Sequence, residues 1–247
     1  NGHTRLPNQG LNSFLIGLEA QYDYSLPNLE SDGLSPIARN FNRSSYNYIE
    51  FRTGIGQNAL SNYFNQRKEV YSLAVSYGKV INRTFKFGGG FYYRFYEHYY
   101  DYIRGEKQYI NEEYPEFKEK PFLYASTYGI FGSFELLLNH VGLEVNIGAN
   151  FSKPFYEIDW RISQGFSHTF ENSEGVIVIG VEDTPFSTKY EIKKVVSSRM
   201  GVKYYFWATE KLPLHNLYIG AHINANLGQA DFSEFSVGYI YSFNFKD

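Results

Sequence analysis

Apolar side chains and small or polar ones alternate along much of this chain with a period of two. The clearest run is the last. Phe235, Val237, Tyr239, Tyr241, Phe243 and Phe245 share one parity, and Ser236, Gly238, Ile240, Ser242 and Asn244 share the other. Successive side chains of a strand point to opposite faces, so this segment has one wholly apolar face and one mostly small or polar face. In a soluble sheet the apolar face covers a core. In a transmembrane barrel it meets lipid, and the small polar face lines the interior.

The same device recurs at 13–26, 47–56, 70–81, 85–97, 122–136, 141–151, 195–207, 217–227 and 235–245, which predicts nine strands. Most of these runs reach the roughly 9–11 residues that a tilted strand needs to cross a bilayer. Charged residues fall mainly on the small-residue face. Glu19, Glu50, Arg52, Arg94, Glu144, Arg199 and Lys203 are therefore expected to form a charge network in the lumen, stabilising or pore-lining rather than catalytic. Such a face costs little where the lumen is wet and much where it is dry. His222 shares that face with Asn224 and Asn226 and reads as interior polar packing. Gly88-Gly89-Gly90 is read as relief of crowding in a curved wall.

The connections give an orientation. Asn82-Arg83-Thr84 and Leu138-Asn139-His140 suit tight turns, each built around an Asn. Long polar segments occupy 98–121 and 152–193. Outer-membrane barrels keep short turns on the periplasmic side and long loops outside. This puts 82–84, 137–140 and 208–216 on one side and 57–69, 98–121, 152–193 and 228–233 on the other; the long segment 27–46 fits this scheme badly. Within 152–193, Tyr156 to Ile162 and Val176 to Val181 are read as an extra hairpin above the membrane.

Composition sharpens the picture. The 247 residues suffice for one all-β domain, 1–247, comprising a loop at 1–12, the barrel, and the long extracellular segment 152–193. Aromatics are 19% of the chain, with 24 Tyr and 22 Phe, yet mean hydropathy is only −0.41. Aromatic girdles combined with polar loops account for that pairing. The net charge of −3 gives no basic bias toward nucleic acid. Cysteine is absent, which removes disulfide and thiolate metal sites. No metal-ligand spacing, phosphate-cradling glycine loop or nucleotide fingerprint is present, so neither a metal nor a cofactor is expected.

Single-chain bacterial barrels have even strand counts. Nine strands, with a chain starting at Asn1 rather than Met, are therefore read as an incomplete antiparallel transmembrane barrel that lacks an odd number of strands upstream; a miscounted strand, making the count nine or ten, is the alternative.

One segment carries a chemical signal. Asn1-Gly2, followed by Pro7-Asn8-Gln9-Gly10 and Asn12 before the first strand, resembles the lipid A 3-O-deacylase family of outer-membrane esterases, including acyloxyacyl-hydrolase-like members. That family has a His-x-Ser-Asn run, a Pro-Asn-x-Gly turn and then a barrel strand; the match covers about a dozen residues. Ala230-Asp231-Phe232-Ser233-Glu234 also looks like the ends of such proteins. The resemblance implies serine ester hydrolysis of an acyl chain on lipopolysaccharide at the bacterial outer membrane. By alignment, the nucleophile and base would precede Asn1, and this chain alone is expected to be inactive. The resemblance places Asn1, Gly2 and Asn8 as oxyanion or positioning contacts. It places Asn12 where some relatives carry the acid that orients the histidine. His3 reads as an exposed loop residue rather than a replacement base. The competing expectation is a non-catalytic outer-membrane barrel: a pore, a scaffold or a surface-binding protein. A soluble lipid-binding barrel ranks below both.

Overall fold

The computed structural model describes residues 44–59, 66–105, 107–164, 167–171, 177–181, 188–226 and 229–246. The barrel strands are β1 (Ser45–Asn58), β2 (Lys68–Ile81), β3 (Phe85–Tyr96), β4 (Ser126–Leu138), β5 (Val141–Ser152), β8 (Val196–Tyr205), β9 (His215–Asn226) and β10 (Gln229–Lys246). They close in the order β1-β10-β9-β8-β5-β4-β3-β2, every neighbour antiparallel. Between β3 and β4 lie α1 (Glu97–Arg104), α2 (Gln108–Glu113), α3 (Pro115–Glu119) and α4 (Pro121–Tyr124). Between β5 and β8 lie α5 (Tyr156–Gln164), a separate hairpin of β6 (Ser167–Glu171) and β7 (Ile177–Val181), and α6 (Thr188–Val195). No helix among the described residues is long and apolar enough to cross a membrane.

The strand count corrects the sequence reading. The barrel has eight strands, not nine or ten, and its ring is complete. β1 pairs with β2 on one side and with β10 on the other, so Ser45 faces Ile81 and also Lys246. The run 13–26 lies outside the described residues, and the ring closes without it. A second correction concerns the extra hairpin. Its two strands are Ser167–Glu171 and Ile177–Val181, while 156–162 is helical, because Phe155, Ile158 and Asp159 turn one buried helical face inward. Helical structure also takes Tyr124 out of β4, which starts at Ser126.

The alternation itself holds strand by strand. Outward positions are exposed, with Phe91 at 67% and Ile147 at 66%, whereas inward Lys203 and Tyr218 are at 0%. In water such a wall would present an apolar surface far larger than monomeric proteins leave uncovered. Twelve residues at about 3.3 Å each, tilted by roughly 40°, span about 30 Å, enough for a bilayer core. Tyr77, Phe85, Tyr204, Phe206, Trp207 and Tyr241 ring the wall near its short-turn end. That distribution is what lipid solvation requires.

The turns at that end follow from left-handed residues. Asn82 and Arg83 take φ of 53° and 57° in the β2–β3 turn, and Asn139 takes 59° in the β4–β5 turn. The longer β8–β9 connection carries a 3-10 turn at Thr209–Lys211. All long connections leave from the opposite end. Inside, glycine makes room for rings. A Cβ on Gly88 would lie 2.1 Å from the Tyr48 hydroxyl, and one on Gly238 would lie 2.2 Å from the Tyr218 ring.

Candidate functional site

The inward faces stack three layers along the barrel axis. At the short-turn end, Tyr46, Tyr48, Val80, Leu137, Tyr205, Tyr218 and Ile240 form an aromatic floor. Above it lies a layer of charges. At the loop end, Val70, Tyr96, Tyr99, Ile103, Phe117, Phe155, Ile158 and Phe232 form a cap in which α1, α3 and α5 cover the barrel mouth.

The charged layer is built around Lys203. Its Nζ lies 3.0 Å from Glu50 Oε1, 3.1 Å from Glu135 Oε2 and 2.7 Å from Glu144 Oε1. Carboxylate oxygens of these three glutamates lie within 4.8 Å of one another, a spacing that suits a metal ion. The lysine ammonium occupies that position instead. Lys86 bridges Glu50 at 2.5 Å and Glu135 at 2.9 Å. Arg199 pairs with Glu144 and reaches Glu234 at 3.1 Å, and Arg52 stands 3.8 Å from Glu144. Glu234 also accepts from Ser72 at 3.0 Å and Asn224 at 2.7 Å. The floor joins in, because Tyr218 donates to Glu50 and Tyr205 to Glu135, both at 2.5 Å. Removing such charges from water costs several kcal/mol per ion, which only dense pairing offsets.

The expected network is therefore present, as a set of close ion pairs. Two internal cavities in and beside it measure about 20 and 10 Å³, each large enough only for water. Glu50, Arg52, Arg94, Glu144, Arg199 and Lys203 all join the layer, and Glu19 lies outside the described residues. Three further members were not named in the expected network: Lys86, Glu135 and Glu234. Parity alone was the available signal for Lys86 and Glu135, which sit inward between Phe85 and Phe87 and between Phe134 and Leu136. Glu234 was missed because the last strand was expected to start at Phe235, whereas β10 starts at Gln229.

Within this layer three groups stand in hydrolytic order. Ser236 Oγ is 3.5 Å from His222 Nδ1, and His222 Nε2 is 3.1 Å from Glu144 Oε2. The resemblance to a nucleophile, base and orienting acid stops at the order of the groups. The Ser–His distance lies at the limit of hydrogen bonding, and the His222 N–H is not aligned on the carboxylate. Glu144 is already engaged by Arg199 and Lys203, so little of its charge is free to stabilise an imidazolium. Arg199 Nη2 also lies 3.3 Å from Ser236 Oγ. Ser236 and His222 are both buried, at 1% and 3% exposure. The cluster is built for packing.

The cap works differently. Its polar groups sit at the tips of tyrosines: Tyr96 donates to Asp231 at 2.8 Å, Tyr99 to Asp159 at 3.3 Å and Tyr114 to Glu157 at 2.8 Å. Burial, then the Glu157 carboxylate, pushes the Tyr114 hydroxyl well above its ordinary range, and burial pushes Tyr102 up to about 12. Neither ionises near neutrality. At the rim, Lys68 pairs with Asp101, and a hydrogen bond to Glu69 pushes the Glu97 carboxyl up. The candidate residues Asn1, Gly2, Asn8 and Asn12, with His3, lie outside the described residues.

No family model matches this chain, and no curated protein matches it. Among solved structures it is similar to Neisserial surface protein A, at 14% identity over 80% of this chain and 97% of that one, with a TM-score of 0.40. It is also similar to the N-terminal β-barrel domain of OprF from Pseudomonas aeruginosa, at 7% identity over 81% and 99%, TM-score 0.34. A third is Ail, the attachment invasion locus protein of Yersinia pestis, at 10% identity over 81% and 99%, TM-score 0.34. At these values the likenesses carry no function across, and the eight-stranded barrel stands on its own strand pairing.

Proposed function

We propose that this chain is a non-catalytic barrel of the bacterial outer membrane, with a sealed lumen that is structural and a loop-side cap that is the working, surface-binding face. The observation that carries the reading is Lys203, fully buried among three carboxylates, with tyrosine floor beneath it and aromatic cap above. A pore needs a continuous aqueous path, whereas ion pairs among Glu50, Lys86, Glu135, Glu144 and Lys203 cross this lumen between five strands. A hydrolase needs an accessible nucleophile, and Ser236 has none of that access. Outer-membrane placement draws support from the apolar wall, and orientation from short turns at one end and long connections at the other. The esterase expectation rested on Asn1, Gly2, Asn8 and Asn12, and no buried group of the lumen takes over their proposed role.

Two measurements test the proposal. Purified barrel reconstituted in planar bilayers is expected to give no stepwise conductance; steady channels would overturn the sealed lumen. Lipid A from cells with and without the protein is expected to have the same mass. Loss of one acyl chain would restore the deacylase reading.

A further inference from the structure

The outward side of the cap continues the lipid-facing wall. α4 is a single helical turn opened by Pro121, with its inner side closed by Tyr124 stacked on Phe117 at 4.1 Å. Its other side holds Phe122 and Leu123, exposed at 57% and 49%. Phe122 stacks at 4.7 Å on Phe95 and at 6.5 Å on Tyr93, both on the outward face of β3. Phe95 in turn meets Tyr71 of β2 at 6.4 Å and Tyr100 of α1 at 5.7 Å. The turn is tied to the wall by backbone and hydroxyl bonds. Tyr96 N–H donates to Ala125 O at 3.1 Å, Ser126 Oγ donates to Phe122 O at 2.7 Å, and Tyr93 Oη lies 2.6 Å from Ser126 Oγ. Exposed Lys118 and Lys120 precede the apolar pair, interleaved with exposed Glu116 and Glu119, and the Arg104 guanidinium lies over the Tyr100 ring at 5.6 Å. Aromatic rings under long cationic side chains are the signature of a bilayer interface.

We infer that α4 is an interfacial anchor, with Phe122 and Leu123 seated among the upper acyl chains of the loop-side leaflet and Lys118 and Lys120 at headgroup level. The occupant is lipid because the patch is continuous with the wall through the Phe122–Phe95 stack. The inference rests on the membrane reading of that wall and extends it from the strands to the cap. One consequence is that the cap is held from below by the barrel and from the side by the leaflet.

The chain has no cysteine, so a single nitroxide label reports one place. Leu123→Cys, which disturbs no stacked ring, is labelled in the full chain reconstituted in phosphatidylcholine vesicles. Ile147→Cys serves as the wall reference and Glu112→Cys as the water reference. Collision with oxygen is expected to exceed collision with a water-soluble nickel chelate at positions 123 and 147, and the reverse is expected at 112. Nickel access at 123 with protection at 147 would overturn the anchor alone. Nickel access at both would overturn the membrane reading with it. Shielding of 123 from both reagents would mean that protein covers α4, which also overturns the anchor. Phe122→Cys repeats the measurement on the stacked position.

Discussion

The charged layer and the loop-side cap are both buried, yet they are held in opposite ways. In the layer, Glu50, Glu135, Glu144 and Glu234 are each shared between several partners, so each charge depends on strands far apart in the ring. In the cap, Tyr96, Tyr99 and Phe155 stack at 4.5 and 4.3 Å, and Tyr96, Tyr99 and Tyr114 make polar contacts at their ring tips. Shared ion pairs fix strand register, because a slip by one residue would turn every charge into lipid. Stacked rings tolerate small shifts. The lumen is therefore a register lock, and the cap is the part of the molecule free to vary with what it contacts.

That contrast can be broken most sharply at Lys203. Lys203→Met leaves three clustered carboxylates without their central ammonium and is expected to cost about 3–5 kcal/mol, read as a lower urea midpoint in lipid vesicles. Added divalent cation should recover part of this loss in the variant and change nothing in the parent. The outer wall should be sensitive to polarity but not to shape. Ile147→Arg, mid-strand and facing lipid, is expected to cost roughly 2–4 kcal/mol, whereas Ile147→Leu stays within about 0.5 kcal/mol in the same assay. The smallest effect lies at the cap rim. Glu97 has its folded-state pKa raised above 4.5 by sharing a proton with Glu69. Its contribution is thus fully present below the ordinary carboxylate pKa and is lost as pH rises through the raised value. Hydrogen exchange of α1, corrected for intrinsic rates, should show protection falling by a few tenths of a kcal/mol as pH rises from 4 to 7, about the limit for so exposed a pair. Glu97→Gln should remove that dependence.

Much of the wall was legible in the residues. Parity alone placed Phe51, Leu73, Phe91, Ile147 and Val237 outside, and Glu50, Arg94 and Lys203 inside, because a strand leaves no third choice. Strand count was not legible. Residues 13–26 alternate as well as 47–56, and a period of two says nothing about pairing; the β1–β10 ladder, from Ser45–Lys246 to Gln57–Ser233, shows that the ring is full. The state of the lumen was equally hidden, since inward charges suit water or one another, and distances across the ring decide between them. Tyr156 to Ile162 was misread for a simpler reason. Seven residues with Tyr, Ile, Trp and Ile at every second place also satisfy helical spacing at Phe155, Ile158 and Ile162. The ester-hydrolysis expectation came mainly from residues 1–12, which lie outside the described residues.

The pairing of β1 with β10 also governs assembly. It joins the two most distant described strands, so it is the contact with the highest loop-closure entropy and the slowest to form. Until it forms, both strands carry unpaired backbone groups, which hydrocarbon cannot solvate. Insertion and seam closure must then proceed together, and a half-built sheet would need its open edges shielded by some other strand until the last turn of chain arrives.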